Sequence, residues 1–169
     1  MALFQQIKAT DLNENLIRMI SEDWMLLAAG NEQKHNEMTV SWGGMGFLWN
    51  EPVATVYVRP QRYTFEFMET NEMFSLNVLG PECRDILKKA GAITGKGINK
   101  TQQLGLTAVS EENTVYFEQA RIVLLCQKLY ADFLKPEKFT CPQITEPYYE
   151  KKDYHKMYIG AIRKVLIKT

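Results

Sequence analysis

The feature that most narrows the fold is a change of rhythm between Asn36 and Thr64. From Glu37 to Trp42 polar and apolar residues alternate, with Met38, Val40 and Trp42 on one face and Thr39 and Ser41 on the other. That is the period of a half-buried strand. A glycine-rich turn follows, and then a β-branched run from Val53 to Val58 reads as a second strand. It stops at Arg59-Pro60, and Arg62-Tyr63-Thr64 opens a short helix.

That last corner has the chemistry of an anion site. Backbone N–H groups at a helix start and paired guanidinium groups both suit phosphate. A hydroxyl-bearing strand beside such a corner offers a place for a flat polar ring with a phosphate tail. On spacing alone the favoured reading is the plainer one, with Arg59 and Arg62 as surface arginines and Thr64 as a helix cap.

Elsewhere, Asn15 to Ile20 predicts a short helix, Trp24 to Ala29 a buried strand, and Met73 to Leu79 another strand. Cys83, Ile86, Leu87 and Ala90 fall at helical spacing, with Gly91 placed as the C-terminal stop. The loop from Gly91 to Lys100 is no P-loop, because Lys96 precedes glycine rather than Ser or Thr. Arg121 to Phe133 has the length of a strand that bends round a barrel, and Tyr158 to Ile167 reads as the closing strand. Lys135 to Lys152 reads as an extended excursion. Strands separated by turns favour a mainly β fold with short helices, an antiparallel barrel rather than a parallel βαβ sheet. No linker divides residues 1–169, so one domain is expected.

Several function classes lose support. Twenty basic and twenty acidic side chains cancel, which disfavours nucleic acid as a partner. No run reaches membrane-spanning length, and no secretion signal is present at the N-terminus. Cys83, Cys126 and Cys141 lack a Cys-x-x-Cys pair. Free thiols in the cytoplasm are therefore expected, with no metal site. Only two histidines occur and no Gly-x-Ser-x-Gly elbow, so hydrolysis is disfavoured. His155, just before the last strand, could hydrogen-bond a bound ring or simply cap the strand end.

Asn36-Glu-Met-Thr-Val-Ser-Trp-Gly, Pro52-Val-Ala-Thr-Val-Tyr-Val-Arg59-Pro and Arg62-Tyr-Thr64 together resemble the flavin reductase-like, FMN-binding split-barrel family, in its flavoredoxin branch. Phe74-Ser-Leu-Asn-Val-Leu79, the Thr94 to Lys100 loop, Cys126 and Asp153-Tyr-His155 agree in order. The resemblance implies a six-stranded antiparallel split β-barrel and a homodimer with FMN near its interface. It implies that Met38, Thr39, Val40, Ser41 and Trp42 edge the isoalloxazine ring, with Asn36 also a cofactor-binding residue. Arg59, Arg62, Tyr63 and Thr64 would take the phosphate, Asn77 and Lys100 would assist, and His155 would lie at the reactive ring face as the catalytic candidate. The Thr94-Gly95-Lys96-Gly97 run departs from the family's acidic pair, which opens the loop's role. The expected function is an FMN-dependent oxidoreductase moving electrons from NADH or NADPH to a flavin, a metal complex or a redox protein. An FMN electron carrier without a nicotinamide site and a non-enzymatic ligand-binding barrel are the alternatives.

Overall fold

The computed structural model describes residues 3–169. In chain order the strands are β1 (Phe4–Ile7), β2 (Met25–Gly30), β3 (His35–Val40), β4 (Gly43–Leu48), β5 (Glu51–Val58), β6 (Met73–Leu79), β7 (Ala108–Glu111), β8 (Thr114–Phe117), β9 (Ala120–Phe133) and β10 (Lys156–Lys168). The helices are α1 (Leu16–Arg18), α2 (Tyr63–Thr70), α3 (Arg84–Ala92), α4 (Lys100–Gln103) and α5 (Thr145–Tyr149). A π-helical turn, Met19–Asp23, extends α1.

The six strands expected from the sequence form one continuous antiparallel sheet in the order β3-β2-β6-β9-β10-β5. β4 adds to the β5 edge, β1 pairs with the far half of β10, and β7–β8 is a separate hairpin. β10 therefore does not close the sheet. It is central, trading β5 for β1 along its length while β9 stays on its other side. The sheet itself stays open, with β3 and β4 at its two ends. Only the two residues Ser41 and Trp42 join those ends, so the gap of the split barrel is spanned by covalent chain rather than by hydrogen bonds.

Three local expectations change. Gly43 to Leu48 is a strand, not a turn: it pairs residue by residue with β5. A Cβ at Gly43 would lie 2.5 Å from the Thr55 carbonyl oxygen, so close backbone approach explains glycine there. Gly91 lies inside α3 rather than beyond it, facing Thr39 of β3. The excursion from Lys135 contains α5, which packs Tyr149 inward.

Two apolar layers explain the continuous hydrophobicity of β2. Met25, Leu27 and Ala29 face the barrel interior with Phe74, Leu76, Val78, Leu124 and Tyr158. Leu26 and Ala28 face outward, where α3 and the β7–β8 hairpin cover them with Leu87, Ala90, Val115 and Phe117. Each such large side chain contributes about 1.5–3 kcal/mol on burial. β3 pairs with this doubly covered strand along one side, and its other edge ends the sheet.

Candidate functional site

β3 sorts its residues between two tasks. His35, Glu37 and Thr39 share the face toward α3 and α4, while Asn36, Met38 and Val40 take the opposite one, as the pleat requires. Lys100 Nζ and Asn36 Nδ2 both donate to the Glu37 carbonyl, at 2.7 and 3.3 Å, which marks its free-edge direction. Alternate residues of a strand share that direction. The N–H and C=O groups of Thr39 therefore also face outward along the free edge, toward the cavity described next.

Two adjoining cavities follow this edge. One, of about 200 Å³, is lined by Met38 to Trp42, Tyr57, Arg59, Arg62 and His155. The other, of about 110 Å³, is bounded by Asn36, Thr64, Gly95 and Lys100 among others. Met38 and Arg62 line both, so the two form one groove. Register explains the meeting of distant residues: Lys156 pairs with Val58, which sets His155 beside Arg59.

At the smaller end three side chains are fixed by specific bonds. Asn36 Nδ2 donates to Thr64 Oγ1 at 2.7 Å, both residues being buried. Arg62 Nη1 donates to the Gly91 carbonyl at 2.8 Å. Lys100, buried, donates to the Glu37 and Ala90 carbonyls, both at 2.7 Å. Burial pulls its ammonium down to about 8; Glu37 opposes this and Arg62 adds to it. The N–H groups of Tyr63 and Thr64 open the eight-residue α2, where the first turn has no intrahelical acceptor for them.

The larger end is aromatic. His155 Nδ1 lies 2.8 Å from the Tyr149 hydroxyl, and its ring is 5.0 Å from that of Trp42. Burial, helped by Arg59 and Arg62 and opposed by Asp153, pushes His155 down to about 4, so the imidazole is neutral near pH 7. Arg59 is clamped: Nη1 donates to Asp153 Oδ2 at 2.6 Å and Nη2 to the Tyr148 carbonyl at 2.8 Å.

Most sequence-predicted residues thus converge, with two qualifications. Thr39 reaches the groove by its backbone, since its hydroxyl donates to the Leu87 carbonyl and holds α3. Asn77 lies elsewhere. Its amide donates to the Leu26 carbonyl and Ser75 Oγ and accepts from the Phe117 N–H, tying the hairpin to the sheet. Sequence reasoning missed Tyr57, Tyr149 and Gly95. Only Gly95 had a local signal, as the loop glycine on which a Cβ would collide with Asn36 Oδ1 at 1.8 Å.

An open antiparallel barrel whose split carries a donor-lined groove is the architecture of the split-barrel flavoprotein folds. The model of the flavin reductase like domain matches residues 17–167, and the chain belongs to that family. An FMN-binding domain of a flavin reductases-like enzyme from Shewanella baltica is 15% identical, with a TM-score of 0.69 over 99% of this chain and 78% of that one. A flavoredoxin from Methanosarcina acetivorans is 20% identical, with a TM-score of 0.66 over 95% and 74%. An NADH:FAD oxidoreductase from Streptomyces globisporus is 13% identical, with a TM-score of 0.63 over 86% and 81%. No curated protein matches the chain in sequence. Among the described residues no helix is long and apolar enough to cross a membrane, and no cluster of side chains suits a metal ion.

Proposed function

We propose that the groove binds FMN and that the protein is an FMN-dependent oxidoreductase drawing electrons from NADH or NADPH. The observation that carries this reading is the polarity of the groove. One end gathers donors, Arg62, Lys100 and the first N–H groups of α2, the set that suits a phosphate dianion. The other end offers a strand edge and flat rings, which suit a tricyclic ring.

Bound FMN would supply a ring that accepts a hydride and passes its electrons onward. The chain's own work is orientation and charge. The outward N–H of Thr39 is a preorganised donor that adds no titrating group. If Nδ1 accepts from the Tyr149 hydroxyl, neutral His155 carries its proton on Nε2, where it can donate to a bound ring. Asp153 and the Tyr148 carbonyl hold the Arg59 guanidinium in place at the larger end of the groove.

A homodimer with the groove near its interface belongs to the same proposal. Phe47, Leu48 and Trp49 lie exposed at the end of edge strand β4, and Trp42 is exposed beside the groove. Such an apolar strip on an unpaired edge suits a protein contact. A flavin, a metal complex or a redox protein would accept the electrons, in a cytoplasmic setting.

The test is the absorption spectrum of the purified protein loaded with FMN. Bleaching by NADH or NADPH supports the oxidoreductase. A yellow protein that bleaches only with dithionite or a reduced protein donor would make it an electron carrier instead. Failure to retain FMN at all refutes both.

A further inference from the structure

Behind the phosphate end lies a partly buried hydrogen-bond relay that the proposed electron chemistry does not use. His35 Nδ1 is 3.1 Å from the Asn31 carbonyl oxygen, His35 Nε2 is 3.0 Å from Thr101 Oγ1, and Thr101 Oγ1 is 3.1 Å from Glu37 Oε2. Glu37 is fully buried, and its Oε1 has no partner among the described residues.

Counting hydrogens along this chain defines its states. A carbonyl oxygen only accepts, so Nδ1 must carry a hydrogen. Thr101 has one O–H to give. With a neutral His35 and an ionised Glu37, both Nε2 and Oε2 would need that one hydrogen, and one contact would set two acceptors together. One added proton resolves the conflict in either of two ways. It can sit on His35, with Nε2–H donating to Thr101 and Thr101 donating to the Glu37 carboxylate. Alternatively it sits on Glu37, with Oε2–H donating to Thr101 and Thr101 donating to Nε2. Transfer between these states balances: Nε2–H passes to Thr101 Oγ1 while the hydroxyl's own hydrogen passes to Oε2.

We propose that Glu37 matches the charge of the site to its ligand, receiving the relay's proton when a phosphate dianion lies beside Lys100 and returning it when the anion leaves. The groups facing Glu37 support this. Lys100 and Thr101 approach from α4 and His35 from its own strand, while β2 opposes it with Ala28. Lys100 bonds the carbonyl of Glu37, and among the described residues Thr101 is the side chain that bonds its carboxylate. Burial raises the Glu37 carboxyl against the opposing pull of Lys100, Thr101 and His35. An incoming dianion beside Lys100, which touches the Glu37 carbonyl, adds a like charge that favours the neutral Glu37 carboxyl over its carboxylate. His35, half-buried near the surface, connects the relay to solvent.

This coupling rests on the FMN reading only for the ligand's identity, so inorganic phosphate serves as an independent probe. The experiment is an infrared difference spectrum of the whole protein on adding phosphate, FMN or riboflavin. Phosphate and FMN should produce a protonated-carboxyl C=O band with loss of carboxylate bands, and riboflavin should produce none. The band should vanish in Glu37→Gln, which should still bind FMN because a neutral amide imitates the protonated acid. Thr101→Val should also abolish it, and serves alone if Glu37→Gln does not fold. FMN binding without the band, or the band persisting in Glu37→Gln or Thr101→Val, overturns the coupling alone. No binding of either FMN or phosphate refutes the ligand reading and the coupling together.

Discussion

Gly95→Ala puts the geometry of the smaller end of the groove to a sharp test. The new methyl carbon would sit 1.8 Å from Asn36 Oδ1 and 2.9 Å from Asn36 Cγ. The Asn36 amide cannot swing away without giving up its 2.7 Å bond to Thr64 Oγ1, and Thr64 is 1% exposed. Moving it leaves a buried hydroxyl unpaired, which costs about 1–3 kcal/mol, and tolerating the overlap costs a similar amount. For a domain of this size that lowers Tm by roughly 2–12 °C. The assay is thermal unfolding of wild type, Gly95→Ala, Asn36→Ala and the double variant. Removing the Asn36 amide removes the obstacle, so Gly95→Ala should cost almost nothing in the Asn36→Ala background, a coupling of about 1–3 kcal/mol. Strict additivity, or a Gly95→Ala protein as stable as wild type, would show that the loop does not pack on Asn36 as described.

Other expectations follow from single contacts. At Gly160, beside a register shift between β9 and β10, a Cβ would meet Phe74 Cε1 at 2.6 Å. Gly160→Ala should therefore lower stability by about 1–3 kcal/mol in denaturant unfolding. His155, held down at about 4 against an ordinary 6.5, favours its neutral form in the fold, so its contribution is complete above pH 6.5 and fades as pH falls toward 4. Replacing it by Asn should flatten the acid limb of the stability curve in that window, by on the order of 3 kcal/mol. Tyr149→Phe removes the hydroxyl at Nδ1 and frees the imidazole to change tautomer. Turnover of the FMN-loaded protein with NADH should fall about 10-fold with little change in FMN affinity, an effect of about 1.4 kcal/mol on the barrier.

Residues that advertise a strand by branching or alternation were readable in the sequence, and these are the six that form the continuous sheet. β4 was hidden because Gly43, Gly44 and Gly46 carry no strand propensity; backbone proximity to β5 makes it a strand. β1 is a short, half-polar Phe-Gln-Gln-Ile that pairs only because β10 outruns β5. The Arg59-to-Thr64 corner and His155 were visible as motifs, but the bonds that orient them were not. Tyr149 comes from the excursion between Lys135 and Lys152, which has no periodicity, and only the fold brings it to His155 and sets Asp153 on Arg59. Asn77 misled because a buried polar residue in a strand looks the same in sequence whether it serves a ligand or a hairpin.

The most direct test of the groove is a comparison of FMN with riboflavin, which differ only in the phosphate. Dissociation constants for both should be measured by fluorescence titration in wild type and Arg62→Ala. Arg62 lines both halves of the groove, and a lost charge-assisted bond is worth about 1.5–3 kcal/mol. FMN affinity should drop about 10- to 150-fold while riboflavin affinity holds. Equal losses for both ligands, or no loss for FMN, would place the phosphate somewhere other than the corner between β5 and α2.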